Sequence, residues 1–97
     1  MYGTIARMRV KSGKEEALLA YTRDRENSRS VPGSVHVYVY RMDADPNEYY
    51  LVAVFESREA YVANANSPAQ DAEYRQLLEL LEGAPEWHDG EVVYSAQ

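Results

Sequence analysis

The chain has 97 residues, of which 16 are acidic and 10 basic, and this balance, with no run of Lys or Arg, argues against nucleic acid as a partner. It contains no cysteine, which excludes disulfides, thiolate nucleophiles and cysteine metal sites. The first residues lack the charged-then-apolar order of a signal peptide, and no apolar run approaches the ~20 residues of a membrane span, so we expect a cytoplasmic protein without membrane contact.

The first half of the chain predicts a strand, a helix and a second strand. Residues 2–10 form the first strand, and Ser12 with Glu15 three residues later is typical of a capping box. This pattern predicts a helix that begins at Ser12 and ends near Asn27. After a Pro32-Gly33 turn, residues 34–42 alternate two residue sets with period two, which is the clearest strand pattern in the sequence.

A hairpin is predicted near the middle of the chain. Residues 43–47 contain Asp45-Pro46-Asn47, a typical loop sequence, and residues 48–56 are rich in Tyr, Val, Leu and Phe. The strands on either side of this loop should therefore pair antiparallel.

Two helices are predicted next, each with a serine cap. Ser57 is expected to cap a short helix that ends near Asn64, and Ser67, followed by Pro68, is expected to cap another. The second of these helices carries an apolar stripe at positions i, i+3, i+4 and i+7, formed by Tyr74, Leu77, Leu78 and Leu81.

The last predicted element is a strand over residues 88–95, which contains Val92, Val93 and Tyr94. The resulting order is β-α-β-β-α-β, which predicts a ferredoxin-like α+β fold with a four-stranded antiparallel sheet. We expect residues 1–97 to form a single domain.

Both faces of the two central strands are apolar or aromatic, whereas helices can cover only one face of such a sheet. In the second strand, one face carries Val35, Val37 and Val39, and the other carries His36, Tyr38 and Tyr40. With nine tyrosines in the chain, the uncovered face would form a large exposed patch of the kind that marks interfaces. We predict a homodimer that packs sheet to sheet as a dimeric α/β barrel; the alternative is an exposed sheet decorated with tyrosine.

Few residues offer metal, cofactor or covalent chemistry. The two histidines, His36 and His88, have no partner at metal-ligand spacing, and the five glycines are scattered singly, without a phosphate-binding loop. No serine lies in a nucleophile-elbow context. We therefore expect neither a metal nor a nucleotide cofactor.

The remaining candidates are polar side chains on apolar surfaces, which can orient a small aromatic molecule and handle one proton. They are His36, the tyrosines, and Asn64, three residues after Tyr61 on the same helical face. Each also has a purely structural interpretation: His36 in an interface, Tyr74 in the core and Asn64 at a helix end. We interpret Trp87-His88 as a packing anchor for the last strand rather than a catalytic pair.

Residues 54–61, Val-Phe-Glu-Ser-Arg-Glu-Ala-Tyr, together with Asn66-Ser67-Pro68 and the Pro32-Gly33 turn, resemble the antibiotic biosynthesis monooxygenase family. The resemblance runs nearly end to end. It implies a dimeric α/β barrel, a pocket between sheet and helices in each subunit, and often the oxidation of quinols or anthrone-like phenols by O2 without metal or flavin.

The resemblance also separates two branches of the superfamily. The heme-degrading branch uses an Asn, a Trp and a His where this chain has Ala6, Asn64 and Tyr74, so heme degradation is not expected. The quinone-forming branch uses an Asn and a Tyr about ten residues apart, and Asn64 and Tyr74 fit that description. The chain departs from this branch in lacking a Trp near Pro68.

The resemblance implies a mechanism in which a phenolic substrate loses a proton and presents an electron-rich carbon to O2. Asn64 would hydrogen-bond the developing oxyanion, Tyr74 would orient the substrate or relay a proton, and His36 would serve as acid or base if it faces the pocket. The side chains expected to contact the small aromatic substrate are Tyr38, Tyr61 and Phe55. The alternatives are a non-enzymatic ligand-binding module and a cofactor-free isomerase or decarboxylase-like enzyme of the same superfamily.

Overall fold

The computed structural model describes residues 1–28 and 31–96. The predicted ferredoxin-like α+β fold is confirmed, with the second crossover divided between two helices. The elements in chain order are β1 (Tyr2–Arg9), α1 (Glu15–Ser28), β2 (Ser34–Arg41), β3 (Glu48–Phe55), α2 (Arg58–Ala65), α3 (Pro68–Leu78) and β4 (Glu86–Glu91).

The four strands form one antiparallel sheet in the order β2-β3-β1-β4. One face, here called the inner face, packs against the helices, and the buried residues Thr4, Ala6 and Met8 of β1 alternate toward it. The opposite, outer face has no cover within the described residues. The main core cluster lies between the inner face and the helices and consists of Met8, Val10, Leu18, Tyr49, Leu77 and Leu81.

The Pro32-Gly33 turn connects α1 to β2 as predicted. The Ser34 N–H donates to the Val31 carbonyl at 3.1 Å, and Gly33 has a φ of 79°, which favours glycine. A Cβ on Gly33 would lie 2.6 Å from the Cβ of Ala60. The first turn of α2 therefore packs directly against this turn.

The predicted serine caps of α2 and α3 are confirmed. Ser57 Oγ accepts a hydrogen bond from the Ala60 N–H, and Ser67 Oγ accepts one from the Gln70 N–H, each at 3.1 Å. These caps satisfy backbone donors that the first turn of a helix leaves free. They therefore set where the two helices begin.

The capping box predicted at Ser12 is wrong, because α1 begins at Glu15. Lys14 N donates to the Lys11 carbonyl at 3.0 Å, and Gly13 has a φ of 82°, so residues 11–14 form a tight turn. The chain must reverse direction after β1 before a helix can start, and Ser12 is used in that reversal.

The predicted bounds of the last strand are also wrong. β4 pairs with β1 from Glu86 opposite Arg7 to Glu91 opposite Tyr2, which is the first residue of β1. The segment Val92-Val93-Tyr94 therefore lies beyond the strand. Likewise, α3 ends before Leu81, which nevertheless lies in the buried core cluster and forms a backbone bridge with Val10.

The predicted alternation of β2 holds except at its start. The pairing with β3 shifts between Ser34 and His36, and this irregularity leaves Val35 exposed rather than packed with Val37 and Val39. No helix of the described residues is long and apolar enough to cross a membrane.

Candidate functional site

A cavity of about 430 Å³ lies between the inner face of the sheet and the three helices. Strand alternation places one side-chain set of each strand in its floor. Strands β2 and β3 give most of the apolar part of this floor, to which β1 adds Met8 and β4 adds Trp87; the residues of β2 and β3 are Val37, Val39, Leu51, Ala53 and Phe55. The volume falls within the range of small-molecule pockets.

One polar contact of the cavity joins α2 to β4. The Tyr61 hydroxyl donates to Asp89 Oδ1 at 2.8 Å, and both residues line the cavity. Burial, followed by the hydrogen bond to Asp89, raises the pKa of Tyr61 to about 12. The phenol is therefore a neutral hydrogen-bond donor at physiological pH.

Thr4 lies beside this pair, directly opposite Asp89 in the β1–β4 register. Its side chain lines the cavity, and the residue is only 4% exposed. Thr4 Oγ1 faces the Tyr61 phenol and lowers its pKa against the larger effects of burial and Asp89, but completes no hydrogen bond with any described residue. Buried hydroxyls are normally paired, so this atom has unused hydrogen-bonding capacity.

A second polar contact joins α2 to α3. Asn64 Nδ2 donates to Gln70 Oε1 at 3.3 Å, and both residues line the cavity. The Ser57 and Ser67 caps set the starts of these two helices. One N–H of the Asn64 amide remains available to a ligand, since an amide nitrogen carries two.

An aromatic pair connects α3 to β4 at the cavity. The rings of Tyr74 and Trp87 are 6.1 Å apart and tilted by 51°. Trp87 pairs with Ala6 of β1, and this register turns its indole toward the inner face. No tryptophan lies near Pro68, but β4 brings Trp87 to the cavity.

Four of the predicted site residues line the cavity together: Asn64, Tyr74, Tyr61 and Phe55. The rings of Phe55 and Tyr61 are in edge contact, with centroids 5.6 Å apart. These residues come from β3, α2 and α3, so the tertiary fold brings them to one space.

The structure does not bring His36 and Tyr38 to the cavity. Val37 and Val39 point into it, so their neighbours in the strand point to the outer face. There the His36 and Tyr38 rings stack, with centroids 5.8 Å apart. The condition attached to an acid or base role for His36, that it face the pocket, is not met in this chain.

Sequence reasoning missed Thr4, Asp89, Gln70 and Trp87 as cavity residues. A signal for Thr4 was present, because it is the one residue with a short polar side chain among the alternating inner positions of β1. Asp89 gave no local signal, because its position beside Thr4 depends on the β1–β4 register. A second cavity carboxylate, Asp71, is held by Arg75 at 3.0 Å on α3.

The matched family model settles the assignment. The model of the antibiotic biosynthesis monooxygenases covers residues 1–80. The chain belongs to this family. Its members are generally dimeric. Within the described residues, no group of three or more His, Asp or Glu side chains is placed to hold a metal ion.

Several solved structures share the fold over almost the whole chain. A family protein from Chloroflexus aurantiacus is 26% identical, with a TM-score of 0.79 and coverage of 99% of this chain and 96% of its own. Rv0793 from Mycobacterium tuberculosis is 22% identical, with a TM-score of 0.77 and coverage of 99% and 98%.

A further similar structure is that of SnoaB, a cofactor-independent oxygenase from Streptomyces nogalater, solved as an asparagine-to-alanine variant. It is 18% identical, with a TM-score of 0.81 and coverage of 97% of this chain and 94% of SnoaB. At this identity the likeness concerns the fold. No curated protein sequence gives a significant match.

Proposed function

We propose that the chain is a cofactor-independent monooxygenase that oxidises a small phenolic or quinol substrate with O2. The observation that carries this proposal is the 430 Å³ cavity, which combines an apolar floor with the Asn64 amide and the Tyr74 hydroxyl. An apolar space with a few polar groups suits an aromatic ring system that must be oriented and kept from water. Family membership and the oxygenase activity named for SnoaB support the same proposal.

The reaction needs only a substrate that supplies its own electrons. Loss of a proton from a phenol or anthrone gives an anion whose carbon forms a bond to O2, and protonation gives a hydroperoxide. Loss of water then breaks the O–O bond and one C–H bond, leaving a carbonyl. One oxygen atom enters the quinone, the other leaves as water, and the substrate supplies all four electrons.

Asn64 would stabilise the anion through the amide N–H that Gln70 does not use. A preorganised donor of this kind is worth roughly 3 kcal/mol of transition-state stabilisation in other oxyanion sites. The Tyr74 hydroxyl makes no hydrogen bond within the described residues, so it is free to orient the substrate or relay a proton. Phe55 and Tyr61 present aromatic surface for the substrate rings.

Oxygen uptake by purified, chelator-treated protein over a panel of quinols, anthrones and naphthols tests the proposal. Uptake above the autoxidation background, with one quinone formed per O2, is the expected result. Binding without uptake would replace it with a ligand-binding module. Conversion of a substrate without uptake would replace it with an isomerase or decarboxylase-like activity.

We also propose that two chains pair through their outer sheet faces. Tyr38 and Tyr40 are 50% and 52% exposed, and their rings lie 6.4 Å apart on this face. Ile5 of β1 is similarly exposed on the same face. Exposed aromatic and aliphatic side chains in one patch are typical of an interface core. His36 would then be an interface residue, packed against Tyr38.

A further inference from the structure

Three polar side chains with incompletely used hydrogen-bonding capacity meet at the β1–β4 side of the cavity. Thr4 and Asp89 are opposite each other across two strands, and Tyr61 reaches them from α2. All three line the cavity. This grouping is separate from the Asn64–Gln70 contact, which joins the two helices.

The Asp89 carboxylate can accept further hydrogen bonds. Its Oδ1 accepts from Tyr61, while no cation pairs with its carboxylate among the residues that the structure describes. Asp71, the other carboxylate of the cavity, is by contrast bound by Arg75 at 3.0 Å. Since a carboxylate accepts about four hydrogen bonds, Asp89 can take another donor from a ligand.

Thr4 supplies the complementary hydrogen-bond donor. Its Oγ1 is buried and unpaired within the described chain, and burial of an unpaired hydroxyl is unfavourable unless a partner arrives. The Tyr61 proton is already committed to Asp89, so Thr4 is the free donor of the three. A ligand group that both donates and accepts would satisfy Thr4 and Asp89 together.

We propose that Thr4, Tyr61 and Asp89 form a subsite for a phenolic hydroxyl of the substrate. Asp89 accepts a hydrogen bond from the substrate hydroxyl, and Thr4 Oγ1 donates one to the oxygen of that hydroxyl. Tyr61 holds the Asp89 carboxylate in position. A ketone or ether cannot donate to Asp89, and a carboxylate ligand is repelled by it. A hydroxyl on an aromatic ring meets both polar groups while its ring contacts the apolar floor.

This inference rests on the proposed function and narrows its substrate class. Asn64 contacts Gln70 of α3, whereas Tyr61 contacts Asp89 of β4, so the two polar groups of α2 reach toward different elements around the cavity. We therefore assign the hydroxyl at the subsite and the oxygen that Asn64 stabilises to two different oxygens of the substrate. The substrate carries at least two oxygen functions, one that anchors it and one conjugated with the carbon that is oxidised.

Binding of a matched ligand series, measured without oxygen, tests the subsite. Trp87 is the single tryptophan of the chain and lines the cavity, so its indole N–H resonance reports occupancy. The probes are 2-naphthol, 2-methoxynaphthalene and naphthalene under nitrogen. We expect the wild-type protein to bind naphthol about 10- to 100-fold more tightly than the methyl ether, the range for a hydrogen bond to a charged group.

Variants identify the groups responsible. Asp89→Ala should reduce this preference to about threefold or less, and Thr4→Val should reduce it in part, because each removes one of the two hydrogen bonds. Asp71→Ala is the matched control and should retain the wild-type preference. Equal binding of naphthol and its ether by the wild type, or an unchanged preference in both Asp89→Ala and Thr4→Val, would overturn the subsite.

The outcome is independent of the oxygenase proposal. A hydroxyl preference that depends on Asp89, in a protein that never consumes oxygen, would keep the subsite and remove the oxygenase. Oxygen uptake by a protein without this preference would keep the oxygenase proposal and remove the subsite.

Discussion

The Tyr61 hydroxyl donates to Asp89 at 2.8 Å and so links α2 to the edge strand β4 across the cavity. The two residues are 28 positions apart in the sequence, and neither makes a local hydrogen bond that would have revealed the other. The contact gives the cavity a polar side next to an apolar floor.

The pKa of Tyr61 provides the first prediction. Since it is raised to about 12, one tyrosine of the folded protein should ionise well above the ordinary value near 10. Tyrosinate absorbance of wild type minus Tyr61→Phe isolates this group. Asp89→Asn should lower the pKa of Tyr61 yet leave it above the ordinary value, because burial is the larger cause and the carboxylate the smaller. Asp71→Asn should leave the titration unchanged.

The same shift predicts a pH dependence of stability. The folded state favours the neutral phenol, so its contribution is complete below about pH 10 and is lost as the pH rises from about 10 to 12. Urea unfolding should therefore show a steeper loss of stability over this window in the wild type than in Tyr61→Phe. Parallel pH profiles for the two proteins would contradict the assignment.

Thr4→Val should stabilise the ligand-free protein. The substitution replaces a buried, unpaired hydroxyl by a methyl group and should raise the free energy of unfolding by about 1 kcal/mol. Thr22→Val is the matched control, because Thr22 Oγ1 donates to the Leu18 carbonyl at 3.0 Å and its loss should not stabilise. Chemical denaturation of both variants measures the two free energies of unfolding. Destabilisation by Thr4→Val would mean that the Thr4 hydroxyl is paired.

Asn64→Ala should lower the rate of oxygen uptake. Removal of one preorganised oxyanion donor reduces kcat by about 100- to 1,000-fold in other enzymes, and the same range is expected here. Asn66→Ala serves as control, because Asn66 is exposed at the C-cap of α2 and does not line the cavity. Equal rates for Asn64→Ala and the wild type would remove Asn64 from the mechanism.

Tyr38→Glu should prevent dimerisation. A charge in the middle of the exposed outer face would be buried without a partner on association, which is strongly unfavourable. Light scattering should give the mass of one chain for this variant and of two for the wild type. Val62→Glu changes a similarly exposed apolar residue on α2 and should remain dimeric; a monomeric wild type would refute the sheet-to-sheet pairing.

Gly3→Ala should destabilise the fold. Gly3 and Gly90 are partners across β1 and β4, yet a Cβ on Gly3 would clash with the Ala53 carbonyl oxygen, whereas one on Gly90 meets nothing within 4 Å. Strain of this kind lowers stability by roughly 1–3 kcal/mol. Gly90→Ala, with the same change of residue, should alter the unfolding midpoint little.

Much of the fold could be predicted because its signals are local. The caps at Ser57 and Ser67 use a serine hydroxyl and a backbone N–H three residues later, and strand alternation is visible in β2 without knowledge of its neighbours. Ser12 misled for the same reason: it matches a cap locally, but the turn at Gly13 is required by the path of the chain after β1.

The candidate site was predicted where its residues lie on helices with a readable face. Spacing placed Asn64 and Tyr61 on one side of α2, whereas the pairing of Asn64 with Tyr74 came from the family resemblance. His36 is the contrasting case, because alternation defines two faces of a strand without saying which one the helices cover. Asp89 and Thr4 escaped notice because they meet only through the β1–β4 pairing.

The sequence by itself determined the number and order of elements, the caps of α2 and α3, and the presence of two apolar faces on one sheet. These follow from propensity, spacing and alternation, which act over a few neighbouring residues. Only the tertiary structure decided which face encloses the cavity, that Trp87 and Asp89 enter it, and that Thr4 is buried without a partner. Those features depend on the register between strands distant in sequence, which is set by packing and by where each strand begins and ends.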